Sequence, residues 1–439
     1  MLLLALACAG PSAGDPAEIT VEALDVEVDG DIPTLLHVRW TAADASPAKV
    51  RWTVDGEGGE TSLDSGGPDH VHDLFGIPAG ETAVLELVHI GEDGSEGVAS
   101  GGDVTLARAP SWLPEVTIDQ PPQSPPTPYL FVSSESAQTM DSAWQVVDWK
   151  GRPIWWRPQA ELAGPFGQPS IDGQGTYFAG TDTDRQEQAL VHLTWEGTRT
   201  LFGAPGAHHE AHERPDGDIG VCRTQAREIA GERVAIDVLA VVRPDGTSRD
   251  VWDAEHWYDP TLPTRCEGLT VGNGEVDGTH CNGVAWDDVR GEWIVSLYCR
   301  GAVVAIGEDG EERWSIAGED GTVGLSDDAQ FSLVHSPRVI DGKLWLFDNG
   351  SSSAPARAMS LDIDPAGGFA TLGKSFEAPD GSYTPVLGSV QPYGDGVIAG
   401  FGLGGDGWWF GPDGEPRAHL SLESPHMLSA VGGVGTLGG

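Results

Sequence analysis

Four histidines occupy a recurring place in this sequence. His208 and His209 come shortly before the turn Arg214-Pro215-Asp216-Gly217, His280 before the turn at Gly291, and His335 before Val339-Ile340-Asp341-Gly342. Imidazole has an ordinary pKa of about 6.5, so near neutral pH it can serve as nucleophile, general base or, once protonated, hydrogen-bond donor. A lone histidine is usually satisfied locally. Three at equivalent positions of a repeat, His209, His280 and His335, predict imidazoles converging on one small volume. In His280-Cys281-Asn282, strand alternation puts His280 and Asn282 on one face and Cys281 on the other. Imidazole and amide then face the same space, and Cys281 is left to pair with another cysteine. His208, Glu210 and His212 also share a face if extended, a set that could hold zinc, but spacing alone identifies no further ligand. His256, His419 and His426 fall outside the pattern and read as structural. The chain carries no serine nucleophile elbow, phosphate loop, nicotinamide fingerprint or paired-carboxylate signature, so no cofactor or metal is expected.

The elements that must position these side chains are strands. Gly is frequent at 61 and Pro at 31 of 439 residues, and long amphipathic helical patterns are absent. After about residue 115 one polar turn recurs six times between an apolar strand and a strand that often carries an aromatic. Its copies are Asp148-Trp149-Lys150-Gly151, Thr194-Trp195-Glu196-Gly197, Arg243-Pro244-Asp245-Gly246, Gly307-Glu308-Asp309-Gly310, Asp364-Pro365-Ala366-Gly367 and Gly411-Pro412-Asp413-Gly414. A second turn alternates with it, at Asp172-Gly173, Asp216-Gly217, Asp287–Gly291, Asp341-Gly342 and Tyr393-Gly394. Two hairpins per unit make four strands, the period of a propeller blade. Residues 115–439 are therefore expected to form a six-bladed β-propeller; five or seven blades are also compatible, and one blade could be closed by both chain ends. The histidines begin the strand that would be innermost, next to the channel.

Residues 18–108 read as a small β-sandwich of immunoglobulin or fibronectin type III kind. It has alternating strands at 35–40, 50–54 and 83–90, and a corner at Leu74-Phe75-Gly76-Ile77-Pro78. The fold class is thus all-β, a propeller preceded by a sandwich, with a proline-rich join at 121–128. Residues 1–17 look like a bacterial lipoprotein signal and linker: an apolar Met1–Ala7, then Cys8, then small and polar residues. That reading anchors the chain through Cys8 in the cell envelope, as a periplasmic or surface lipoprotein. Cys222, Cys266, Cys281 and Cys299 then suggest two disulfides, with three pairings open. The net charge of −44, from 68 acids against 24 bases, argues against nucleic acid and anionic membrane surfaces as partners.

The same residues resemble the bacterial arylsulfate sulfotransferase family. His208-His209-Glu210 with Pro215-Asp216-Gly217 matches one motif, and His280-Cys281-Asn282 with Ile294-Val295-Ser296 a second. Phe331-Ser332-Leu333-Val334-His335-Ser336-Pro337-Arg338 with Leu346-Phe347-Asp348-Asn349-Gly350 matches a third, and Gly388-Ser389-Val390-Gln391 a fourth. The resemblance implies transfer of a sulfuryl group from an aryl sulfate to a phenol, without a nucleotide donor, through a covalent histidine intermediate. His335 would be the nucleophile. His280 and His209, with Asn282, would hold the sulfonate oxygens and handle the phenol proton. Two positions depart from the pattern. The family's channel arginine falls on Tyr298, so that Arg300 would need a local shift to serve, and the acid after the third-motif histidine is Ser336. Alternative functions are a non-catalytic surface lipoprotein propeller that binds a glycan, peptide or partner protein, and a propeller lyase or hydrolase using the same histidines.

Overall fold

The computed structural model describes residues 17–43, 45–136, 142–158, 170–171, 175–182, 187–262, 264–271, 274–317, 321–424, 426–435 and 437. Cys8 with its signal-like segment, the Asp172-Gly173 turn and part of the glycine-rich tail lie outside them. The described residues form strands joined by turns, with three short 3₁₀ turns and no α-helix. The chain divides into two compact units, Met1–Ala109 and Pro110–Leu437.

The first unit holds a five-stranded and a three-stranded sheet around one core. Leu36–Ala42, Ala48–Val54 and Thr82–Ile90 each alternate buried and outward residues, as period-2 sequences must when one face is covered. Trp40, Val50, Trp52, Leu85 and Leu87 fill the space between the sheets.

The second unit is built from six sheets of at least four strands each. Five of the six recurring turns close on a glycine N–H bonded three residues back, for example Gly246 to Arg243 and Gly310 to Gly307, both at 2.9 Å. The turn near residue 365 is one residue longer and closes from Gly368 to Pro365. In the third sheet Ala207–Glu213, Ile219–Ile229, Glu232–Val242 and Ser248–Asp253 pair in order. Each sheet packs face to face on the next. Tyr177 and Leu190 meet Ala211, Val221 and Ala240 between the second and third, and Trp252 and Ile236 meet Val284 and Trp293 between the third and fourth. Leu130, Val132 and Val147 of the first sheet share a core with Ile398, Trp409 and Leu420 of the sixth. Trp155 of the first sheet donates its indole N–H to the Trp195 carbonyl of the second at 2.9 Å. A sixth sheet resting on the first makes the arrangement propeller-like. Strands covered on both faces read as near-continuous apolar runs, which is why Glu232–Val242 looks so uniformly hydrophobic.

Both ends of the unit are tied into sheets. His426–Val434 pairs with Tyr129–Ser136 to complete the first sheet, and Val116–Asp119 adds a fifth strand to the sixth by pairing with Pro416–Leu422. The proline-rich stretch therefore lies inside this unit, where Thr127 bonds the Tyr393 hydroxyl.

The first strands of successive sheets pack against one another along a common axis: Ala207–Glu213, Cys281–Asp287, Val334–Ile340, Ser389–Tyr393 and His426–Val434. The approach is close. A Cβ on Gly283 would lie 2.3 Å from Pro337 Cδ and 3.2 Å from Glu210 Oε2, so the fourth sheet needs glycine there. At this level Arg338 donates to Glu210 Oε2 at 2.8 Å, with both side chains buried. A buried charge that loses its partner costs about 3–5 kcal/mol. Glu210→Leu is expected to destabilise the protein by about that amount in urea unfolding, far more than a surface change.

Candidate active site

The histidines stand at the entry ends of these axial strands, above the Glu210–Arg338 pair. Each of the three strands breaks register there: between His208 and Ala211, between Cys281 and Gly283, and between His335 and Arg338. His209, His280 and Ser336 have positive φ, at 57°, 51° and 50°. By backbone conformation the counterpart of His209 and His280 in the fifth sheet is Ser336, not His335, which corrects the equivalence expected from spacing. The bulges turn side chains toward the axis that a regular strand would send elsewhere.

The rings form a connected arc. His208 and His209 meet at 5.0 Å between centroids, His209 and His280 at 5.0 Å, His280 and Tyr298 at 5.2 Å, and Tyr298 and His335 at 5.4 Å. His209, His280 and His335 are thus brought together, with Tyr298 between the last two.

Each imidazole has a different second partner, which sets its protonation. His335 Nδ1 lies 2.6 Å from Asn349 Oδ1, while Asn349 Nδ2 donates to the Leu387 carbonyl at 2.7 Å. Since the amide nitrogen is spent on a carbonyl, its oxygen must accept, and His335 carries its proton on Nδ1. Burial, only partly offset by Asn349, lowers the His335 pKa to about 3. It is a neutral imidazole with a lone pair on Nε2. His280 Nδ1 lies 2.6 Å from Asp277 Oδ2. Burial alone would lower the His280 pKa, but the hydrogen bond and charge of Asp277, with Asp237 behind, outweigh it and leave the pKa raised above 6.5. His280 therefore favours the imidazolium form, with Nε2–H as a donor. His209 is half-buried, and its pKa is depressed by desolvation and by the neighbouring His280, His208 and His335. Its Nδ1 lies 2.7 Å from His208 Nδ1, and His208 Nε2 lies 2.8 Å from Asp237 Oδ1. With His208 donating to Asp237, its Nδ1 accepts from His209, and the His209 Nε2 lone pair is left as a proton acceptor.

Other expected residues are placed differently. The Asn282 amide is spent inside the protein: Nδ2 donates to the Val334 carbonyl at 2.8 Å and Oδ1 accepts from Ser296 Oγ at 2.6 Å. It anchors the residue before His335 from a fully buried position. Arg300 sits in the 3₁₀ turn Tyr298–Arg300, where its charge acts on Asp259; among the described residues no contact joins it to the histidines. Of the set His208, Glu210 and His212 considered for zinc, His208 is committed to Asp237 and Glu210 to Arg338. His256 pairs with Glu312 and His419 with Asp406, away from the arc.

The sulfur pairing left open by spacing is Cys222–Cys281 and Cys266–Cys299. The first lies beside His280 and the second beside Tyr298. Cys266, Asp277, His280 and Cys299 bring possible ligand atoms within 4.8 Å of one another. The two sulfurs are bonded to each other and His280 Nδ1 faces Asp277, so this group does not fit a metal.

Sequence reasoning missed Asp237, Asp277 and the role of Asn349. Asp237 had a signal, an acid in the middle of the apolar run Val234–Val242, and Asp277 lies three residues before His280. Asn349 was in a quoted motif, but its pairing across the sheet needed the fold. Because a buried hydrogen bond left half-made costs about 1–3 kcal/mol, Asn349→Leu should lower turnover of an aryl sulfate about 10- to 100-fold. Steady-state kinetics would read this, with thermal melting to check that the fold persists.

The arylsulfotransferase (ASST) family model matches residues 116–402, about two thirds of the chain. The chain belongs to the arylsulfotransferase family. Membership supports an aryl sulfotransferase-like, sulfotransferase-type activity on small aryl substrates. No curated protein matches the arylsulfotransferase chain. Solved structures similar to it include a protein of unknown function from Bacteroides caccae, at 12% identity over 70% of this chain and 98% of that one, with a TM-score of 0.45. The Pseudomonas aeruginosa periplasmic gluconolactonase is 13% identical over 90% and 100%, at 0.38. The β-propeller domain of Myceliophteria thermophila Cps50 is 10% identical over 72% and 89%, at 0.34.

Proposed function

We propose that this arylsulfotransferase carries the sulfuryl group on His335, taking it from an aryl sulfate and giving it to a phenol without a nucleotide donor. The observation that carries the reading is the Asn349 contact, which pins Nδ1 and leaves a neutral Nε2 lone pair beside Tyr298 and the His280 imidazolium. In the first half-reaction Nε2 attacks sulfur, the N–S bond forms, the S–O(aryl) bond breaks, and the phenolate takes the His280 proton. In the second the acceptor phenol gives its proton to the free His280 or to His209 Nε2. Its oxygen bonds to sulfur, and the N–S bond breaks to restore His335. Ping-pong kinetics follow.

The architecture that suits this chemistry is a six-bladed propeller with the site at one mouth of its channel, following a fibronectin type III-like module. We place the protein in the cell envelope, exported and lipid-anchored through Cys8, where the two disulfides are at home. Intact mass measurement after brief mixing with 4-nitrophenyl sulfate, under conditions that spare N–S bonds, tests the reading. One added sulfuryl group with release of 4-nitrophenol supports it. A folded protein that shows neither would instead be a binding propeller.

A further inference from the structure

Three sulfonate oxygens gather negative charge as sulfur is transferred, and they need a cation. Two of the arginines near the arc, Arg338 and Arg357, are engaged. Arg338 is paired with Glu210. Arg357 binds Asp348 at 3.1 Å and the Gln330 carbonyl at 2.5 Å. Arg300 lies within electrostatic reach of Asp259 but, among the described residues, makes no hydrogen bond or ion pair. Tyr298, which stands where spacing puts the family's arginine, donates its hydroxyl proton to the Pro385 carbonyl at 2.6 Å.

Arg265 differs from Arg300 in lying beside Tyr298, a member of the arc. Its guanidinium makes no hydrogen bond or ion pair among the described residues, although acids outnumber bases 68 to 24. It lies within electrostatic reach of Tyr298 and of Asp348. The group lies over Gly301, where a Cβ would come within 2.8 Å of Arg265 Cζ. Gly301, at φ 58°, caps the 3₁₀ turn that begins at Tyr298. The backbone is held as well: Arg265 N–H donates to the Cys299 carbonyl at 3.2 Å, and the adjacent Cys266 is bonded to Cys299. Cys299 N–H in turn bonds the Thr279 carbonyl, next to His280.

Resting on the sulfotransferase reading, we infer that Arg265 is the anion-recognition residue of this site, supplying from the disulfide-held loop the guanidinium that the strand position occupied by Tyr298 lacks. An exposed, unpaired arginine beside Tyr298 in an acidic protein concentrates attraction for an aryl sulfate where the overall field repels it. Its planar fork can grip two sulfonate oxygens at once.

The test uses benzenesulfonate, which has the charged group but no ester to cleave, in titration calorimetry with wild type, Arg265→Gln and Arg265→Lys. Arg265→Gln is expected to bind about 10- to 100-fold more weakly, and Arg265→Lys to recover part of the loss. In turnover, KM for 4-nitrophenyl sulfate should rise in Arg265→Gln while KM for the phenol acceptor stays unchanged, a split that a merely structural role would not give. Equal benzenesulfonate affinity in wild type and Arg265→Gln, or none in wild type, would overturn the inference. Binding that depends on Arg265 without any phenol release would leave it standing and remove the sulfotransferase reading instead.

Discussion

Replacing His335 with alanine is expected to abolish the sulfuryl adduct and to lower phenol release by about 10⁴-fold or more, the scale of losing a covalent nucleophile. The fold should survive, because the backbone pairing of His335 with Phe347 is kept while the hydrogen bond to Asn349 and the ring contact with Tyr298 go. Rapid-quench kinetics would read the loss as a missing burst. His335→Gln makes a sharper comparison, since an amide can still reach Asn349 but has no nucleophilic nitrogen; equal inactivity in both variants assigns the loss to chemistry rather than packing. Retained burst amplitude in either variant would remove His335 from the covalent role.

The second large effect concerns pH. His335 must be neutral and its pKa lies near 3, so the acid limb of kcat/KM should fall far below the usual histidine range. His280 must be protonated, and its pKa is raised, so activity should be full below that raised value and be lost as pH climbs through it. Asp277→Asn removes the interaction that raises the pKa and leaves burial dominant. The alkaline limb should then move toward acid, with a loss of about 10²- to 10⁴-fold at neutral pH, the range of a general acid. A pH–rate profile of wild type and Asp277→Asn decides the point. An unmoved alkaline limb would show that His280 is not the proton donor.

Much of this was legible in the sequence because it follows from periodicity. Recurring Asp-Gly and Glu-Gly turns mark hairpins, and apolar runs between them mark strands, so an all-β chain of repeated hairpin units could be read before any contact was known, with six units expected and five or seven left open. Convergence of His209, His280 and His335 followed from their place at the start of repeated strands. The protonation pattern did not follow, because it depends on residues far apart in sequence: Asp237 reaches His208 across two strands, and Asn349 comes from the strand beside His335. Alternation also failed where the strands bulge. A bulge shifts the phase by one residue, and this is why Asn282 turns into the protein to hold Val334 instead of facing the channel beside His280.

The strand His426–Val434 completes the sheet that begins with Tyr129–Ser136, and this has a consequence for the order of events during synthesis. The histidine-bearing strands leave the ribosome well before their ring can be fastened, and Tyr129–Ser136 waits with an open backbone edge while some three hundred residues follow. Contacts between such distant segments form late and slowly, and an open edge invites pairing with other chains. A chain cut short before residue 426 would hold every residue of the arc yet leave the Tyr129–Ser136 edge bare, and it should reveal itself by clumping.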